Sequence, residues 1–244
     1  MKGKRFVISA IVMVGLAAGV AAFAARFQQV KPQQLAFADL IERSADFDFE
    51  PPMAGSYTLP PVKRAPDGVL LDHRGEQAAL AEVLGGRISL VSFIYALCSD
   101  VNGCPLATAT LYDIYDASEG AERLNKSVQL VTISFDPKRD TPDAIESYLY
   151  PVLADPKGAG KIGWRAFTTS SEEVLRPILD GFGQAVDRRP DSEVINHLLR
   201  LYLVDAEGRI RNVYGLGMID PRLILTDIET LMMERPRALA KVGR

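Results

Sequence analysis

Cysteine and histidine are scarce in this chain, whose 244 residues include two of each. The two cysteines do not form a CxxC pair, and there is no third cysteine, so the features that most favour a thiol oxidoreductase are missing. Nothing after Phe93 has the short threonine-to-cysteine spacing of a peroxidatic thiol. An excess of basic charge is also lacking: the net charge is −3, which argues against a surface for polyanions and excludes nucleic acid as a partner. There is no internal repeat and no low-complexity tract. Long apolar runs are absent except for one at the N-terminus.

In that run, Lys2, Lys4 and Arg5 precede an uncharged apolar stretch from Phe6 to Ala25 that ends at Arg26. About 20 such residues suffice to span a bilayer as a helix, and the basic residues before them stay on the cytoplasmic side. Residues 1–26 are therefore predicted to be a transmembrane anchor. Alternatively they form a cleaved signal peptide, because Ala22-Phe23-Ala24 has the small-x-small form that a signal peptidase accepts. The first reading puts the rest of the chain on the periplasmic face of a bacterial inner membrane, and the second exports it. Both deliver the cysteines to an oxidising compartment. Residues 27–66 are polar and rich in proline (KPQQ, FEPPMAGS, TLPPVKRAPDG) and read as a tether. Residues 67–244 read as the folded domain, and 48% hydrophobic composition is enough for a core of that size.

Within the domain, VLLDHRGEQAAL reads as a strand, a turn and a return, and ISLVSFIY from Ile88 as a buried central strand. A helix is expected from Pro105, since proline is tolerated at the first helical position, and a second buried strand at Val128–Phe135. Thr141 and Pro142 open another helix. In SSEEVLRPILDGF, Val174, Leu175, Ile178, Leu179 and Phe182 have helical spacing, with Pro177 expected to kink or divide the element. HLLRLYLVDAEGRIRNVYG reads as a β-hairpin turning at Glu207-Gly208, and a last helix starts at Pro221. Strand, helix, strand, helix, hairpin and helix make a mixed α/β plan whose first crossover joins parallel strands.

Cys98 and Cys104, with five residues between them, fall where the first central strand ends and its helix begins. That edge is the natural reactive edge of such a sheet. Close to a helix N-terminus, Cys104 is expected to favour the thiolate, which is both nucleophile and metal ligand. An inert disulfide is the competing reading. His73 lies in a polar Asp-His-Arg-Gly turn, where a solvated side chain is the default. His197 follows the polar connection AVDRRPDSEVIN and can lean over the same edge, either as a hydrogen-bonded structural residue or as a third partner of the cysteines. Two thiolates and an imidazole suit Cu(I) first and zinc second. In DPKRDTP, Asp140 or Thr141 reads as a helix cap, and Asp136 and Arg139 as turn residues or as groups that tune the thiols. Trp164 reads as a core or rim aromatic.

FIYALCSDVNGCPLAT, TISFDPKRDTP, Trp164-Arg165-Ala166-Phe167 and HLLRLYLVDAEGRI occur in an order that resembles the SCO/SenC family of membrane-tethered copper proteins. The resemblance covers the chain from about Gly68 to the final helix. It implies a thioredoxin-like fold and a copper chaperone that delivers copper to, or maintains the cysteine ligands of, the binuclear copper centre of cytochrome c oxidase. The implied ligands of Cu(I) or Cu(II) are Cys98, Cys104 and His197, and the implied partner is a copper-receiving respiratory protein or its thiols. A metallochaperone turns over no substrate. The alternative is a membrane-tethered thiol-disulfide oxidoreductase using Cys98 and Cys104. The family signature has three residues between its cysteines where this chain has five, and the longer loop is expected to loosen the site's preorganisation.

Overall fold

A computed structural model describes residues 36–44, 47–98, 100, 103–188 and 195–242, with side chains as far as Glu234. The predicted anchor over residues 1–26 lies outside the described residues. Among those residues, no helix is long and apolar enough to cross a membrane.

The centre is a mixed eight-stranded sheet. Strands β1 (Lys63–Arg64), β2 (Val69–Asp72), β3 (Gln77–Ala79), β4 (Ile88–Ile94), β5 (Val128–Ser134), β6 (Gly163–Thr168), β9 (Arg200–Val204) and β10 (Arg209–Gly215) lie in the order β1-β10-β9-β4-β5-β6-β2-β3. β4, β5 and β6 are parallel, and the remaining pairs are antiparallel. A separate two-stranded ribbon joins β7 (Val186–Arg188) to β8 (Ile195–His197). Every residue of β4 and β5 is buried, as expected of central strands covered on both faces. Their side chains alternate between two cores. Ile88, Leu90, Val128 and Leu130 meet α2 (Cys104–Ala117), α4 (Pro142–Leu153) and α6 (Pro221–Val242). Val91, Phe93, Val131 and Ile133 meet α1 (Leu80–Leu84) and α5 (Glu172–Phe182). A short helix α3 (Glu122–Ser127) leads into β5.

The hairpin of β9 and β10 forms as predicted. Gly208 takes φ +74° in its turn, and the Asp205 carboxylate accepts from the amides of Glu207 and Arg209 at 3.1 and 2.9 Å. Pro177 does not divide α5, which runs unbroken from Glu172 to Phe182. Proline costs a helix about 3 kcal/mol, here by leaving the Glu173 carbonyl without its usual donor, and burial on the other face offsets that cost. Leu175, Ile178, Leu179 and Phe182 are buried against the sheet, and burial of each contributes about 1.5–3 kcal/mol. The Ser171 hydroxyl adds a cap by accepting from the Val174 amide at 3.4 Å.

The segment read as a tether holds to α6 through Phe37, Gly55, Tyr57 and Leu59, and its Lys63 and Arg64 join the sheet as β1. Phe37 is buried, with its amide donating to Glu229 at 3.0 Å and the Arg123 guanidinium 4.6 Å above its ring. The amides of Gly55 and Leu59 donate to Thr230 and Glu234, and the Tyr57 hydroxyl donates to buried Asp227. The proline-rich composition concealed this because the contacts come from three backbone amides and two widely spaced aromatics, which leave no periodic signal. Phe37→Ala is expected to cost about 3 kcal/mol, seen as a lower urea midpoint. An unchanged midpoint would mean that the segment is not part of the folded unit.

Candidate metal centre

The site grows from the end of β4. After Ile94 the chain turns, and the Cys98 amide donates to the Tyr95 carbonyl at 3.2 Å. A second turn closes as the Gly103 amide donates to the Asp100 carbonyl at 2.8 Å, and α2 starts at Cys104. Gly103 suits this position because a Cβ there would come within 3.2 Å of the Asp100 carbonyl oxygen. The first turn presents Cys98, and the second, inside the five-residue spacer, leads into Cys104. Cys98 is half-buried and Cys104 buried, and they are not bonded to each other.

The third group arrives from the ribbon. His197 ends β8, half-buried, with its ring edge-on to Tyr95 and tilted against Phe135 at centroid separations of 5.8 and 4.8 Å. Its Nδ1 lies 3.1 Å from the Ile195 carbonyl, which can only accept, so Nδ1 carries the ring proton. Nε2 then offers its lone pair, 3.4 Å from the Cys104 sulfur. The donor atoms of Cys98, Cys104 and His197 all lie within 4.8 Å of one another. Ligands about 2.0–2.3 Å from one ion stand roughly 3.5–4 Å apart, so the cluster is close to the size of a three-coordinate site. Two sulfurs and an imidazole nitrogen are the donors that soft and borderline ions take. His73 stays in the turn between β2 and β3, and among the described residues it belongs to no such group.

The expectation that the helix start favours the thiolate is not met. Burial pushes the Cys104 thiol well above its ordinary range, against hydrogen bonding from the backbone, and the neighbouring Cys98 pushes it further. Desolvation of a residue that is 4% exposed outweighs the half-charge of the helix end. A bound cation would supply the missing positive charge and displace the proton.

Sequence reasoning missed part of the support around these groups. Thr141 occupies the N-cap position of α4 without a side-chain hydrogen bond. Asp140, the other predicted cap, instead reaches the turn after β4 and the end of β5, accepting from the Ala96 amide at 3.1 Å and the Ser134 hydroxyl at 2.5 Å. It thereby fixes the turn that delivers Cys98. Burial raises the Asp140 carboxyl above the usual carboxylate range. Asp140→Ala is expected to leave two donors without an acceptor, at about 1–3 kcal/mol each. Thermal unfolding and faster hydrogen exchange at Ala96 would register the loss, and unchanged exchange there would contradict it. Asp136 is also buried and pairs with Arg139, which lies over the Tyr95 ring. Trp164 is a core aromatic, and its Nε1 donates to Thr132 at 3.0 Å. The sign that Asp136, Arg139 and Asp140 serve the site was their position just after β5, on the edge that Cys98 shares.

A family model described as SCO1/SenC matches residues 65–233. An SCO2-like protein of Rickettsia conorii is 31% identical over 170 residues, which cover 66% of this chain and 74% of that protein. Among solved structures, a SCO1/SenC family lipoprotein from Bacillus anthracis aligns over 72% of this chain and 99% of its own, at 21% identity and a TM-score of 0.60. Arabidopsis thaliana ScoI with copper bound aligns over 69% and 98%, at 21% identity and a TM-score of 0.55. These likenesses show the fold: the central mixed sheet with its flanking helices is the thioredoxin-like arrangement of those structures.

Proposed function

The chain belongs to the SCO1/SenC family, and on that premise we propose that it is a copper-binding assembly factor that holds the ion between Cys98, Cys104 and His197. The observation that carries this reading is the convergence of two free thiols and one imidazole with its Nε2 lone pair exposed to them. Copper is cargo here. Two thiolates suit Cu(I), and the imidazole adds a donor that Cu(II) prefers. As the ion arrives, both thiol protons leave, and the Nε2 atom that accepted from Cys104 is freed to ligate. The half-exposed Cys98 is the group an incoming thiolate reaches first, so copper leaves by ligand exchange with the cysteines of a receiving protein. A respiratory recipient fits the relatives, since one similar structure is that of BsSco, a member of the Sco family of cytochrome c oxidase assembly proteins. The apolar stretch Phe6–Ala25 would hold the domain at the membrane, on its periplasmic side.

A second reading has its own observation. With Cys104 hydrogen-bonded to His197 and close to Cys98, the pair can reduce a client disulfide: one thiolate attacks, and the other resolves the mixed disulfide. Mixing the Cu(I)-loaded chain with a metal-free oxidase copper domain separates the two. Copper delivery moves the metal and leaves the client's thiol count constant. Thiol maintenance reduces the client disulfide, leaves Cys98 and Cys104 oxidised, and proceeds without copper.

A further inference from the structure

The ribbon that carries His197 is too small to hold itself in place. It pairs three residues with three, stands apart from the main sheet, and buries only Ile195 fully. A two-stranded ribbon of this kind is marginal on its own. Its base is held by Gln184, which is buried, accepts from the Tyr202 hydroxyl at 3.0 Å and donates to the Leu198 carbonyl at 2.8 Å. At the far end, Arg188 stands directly opposite Ile195. It leaves the ribbon for the body of the domain, where it donates to the Phe135 carbonyl, lies 3.7 Å from the Asp136 carboxylate, and lies 3.4 Å from Glu172 on α5.

From these contacts we infer that Arg188 is the positioning residue for His197, a clamp that fixes the ribbon's far end and with it the ring's orientation toward the cysteines. The link is short. Arg188 holds its cross-strand partner Ile195, and the Ile195 carbonyl accepts the hydrogen bond from the Nδ1–H of His197. That carbonyl decides which ring nitrogen faces Cys104. The other end of the clamp lies beside the ring's own wall, because Phe135 packs on His197 and Asp136 joins Arg188 to Arg139. An arginine suits the task because its planar fork can serve a carbonyl and a carboxylate together, which a single ammonium does less well. Groups that orient a metal-binding histidine in this way typically govern affinity by 10–100-fold. The affinity part of this inference rests on the copper reading above, but the ring-orientation part does not.

The test uses Arg188→Ala and Arg188→Lys in the full chain, with two readouts. Nitrogen NMR of the metal-free protein, at a pH where the ring is neutral, reports the His197 tautomer. Competition titrations report Cu(II) and Cu(I) affinities. The wild type is expected to hold the Nδ1–H tautomer. Arg188→Ala is expected to give a mixture and to lower Cu(II) affinity about 10–100-fold, with a smaller loss for Cu(I), and Arg188→Lys should fall between. A variant that melts earlier yet keeps both tautomer and Cu(II) affinity overturns the inference, since Arg188 is then only a structural pair. If Arg188→Ala does not fold, Arg188→Lys decides, and a lysine variant identical to the wild type in both readouts also overturns it. If the wild type binds no copper, the copper reading fails separately and the tautomer alone decides.

Discussion

Cys104→Ser, and equally Cys98→Ser, is expected to abolish stoichiometric copper binding while leaving the domain folded. A serine hydroxyl is a poor ligand for Cu(I), and either change removes one of the two thiolates that a soft ion depends on. Folding should survive because Cys104 sits at the first position of α2, where a serine hydroxyl can donate toward His197 Nε2, and because Cys98, although it packs against the core, is only half-buried in a turn. Were the pair instead a structural disulfide, either change should cost about 2–5 kcal/mol. Copper analysis beside thermal unfolding tells the two apart. Retained copper in both variants would remove the cysteines from the site, and a large loss of stability in both would favour the staple.

His197→Ala is expected to lower copper affinity steeply, more for Cu(II) than for Cu(I), because the nitrogen donor matters more to the former. Disulfide formation between Cys98 and Cys104 should persist, since exchange depends on thiolate character and access. Unchanged affinity for both oxidation states would remove His197 from the site. Loss of thiol exchange in the same variant would instead make the imidazole a base for Cys104, consistent with its 3.4 Å approach, and would raise the oxidoreductase reading above the copper one.

The sequence showed most where one face or one period controls the outcome. Ile88–Ile94 and Val128–Ser134 are continuous apolar runs, and both are fully buried parallel neighbours. Cys98 and Cys104 were legible as a pair at a strand-to-helix edge, because strand end and helix start follow from local pattern alone. What brings His197 to them was not legible. Its ribbon pairs Val186 with His197 across a polar connection, and no alternation in so short a strand marks it. Strand β6 was hidden in the same way, with Trp164 visible as an aromatic but not as part of a strand beside β5. Asp140 shows the limit most clearly. Its place before Pro142 suggested a cap, but a carboxylate next to two better-placed donors, Ala96 N–H and Ser134 O–H, goes to them. Such choices are made by tertiary neighbours and leave no trace in local spacing. The charge state of Cys104 differs for a related reason: the helix end is visible in the sequence, but the depth of burial that outweighs it is not.

X-ray absorption at the copper edge, on the chain reduced without oxygen, loaded with Cu(I) and freed of excess metal, is the decisive measurement for the proposed site of two thiolates and an imidazole. One copper per chain is expected, with two sulfur neighbours and one imidazole nitrogen. A chain that retains no copper after reduction, with both thiols free and reactive, would contradict it.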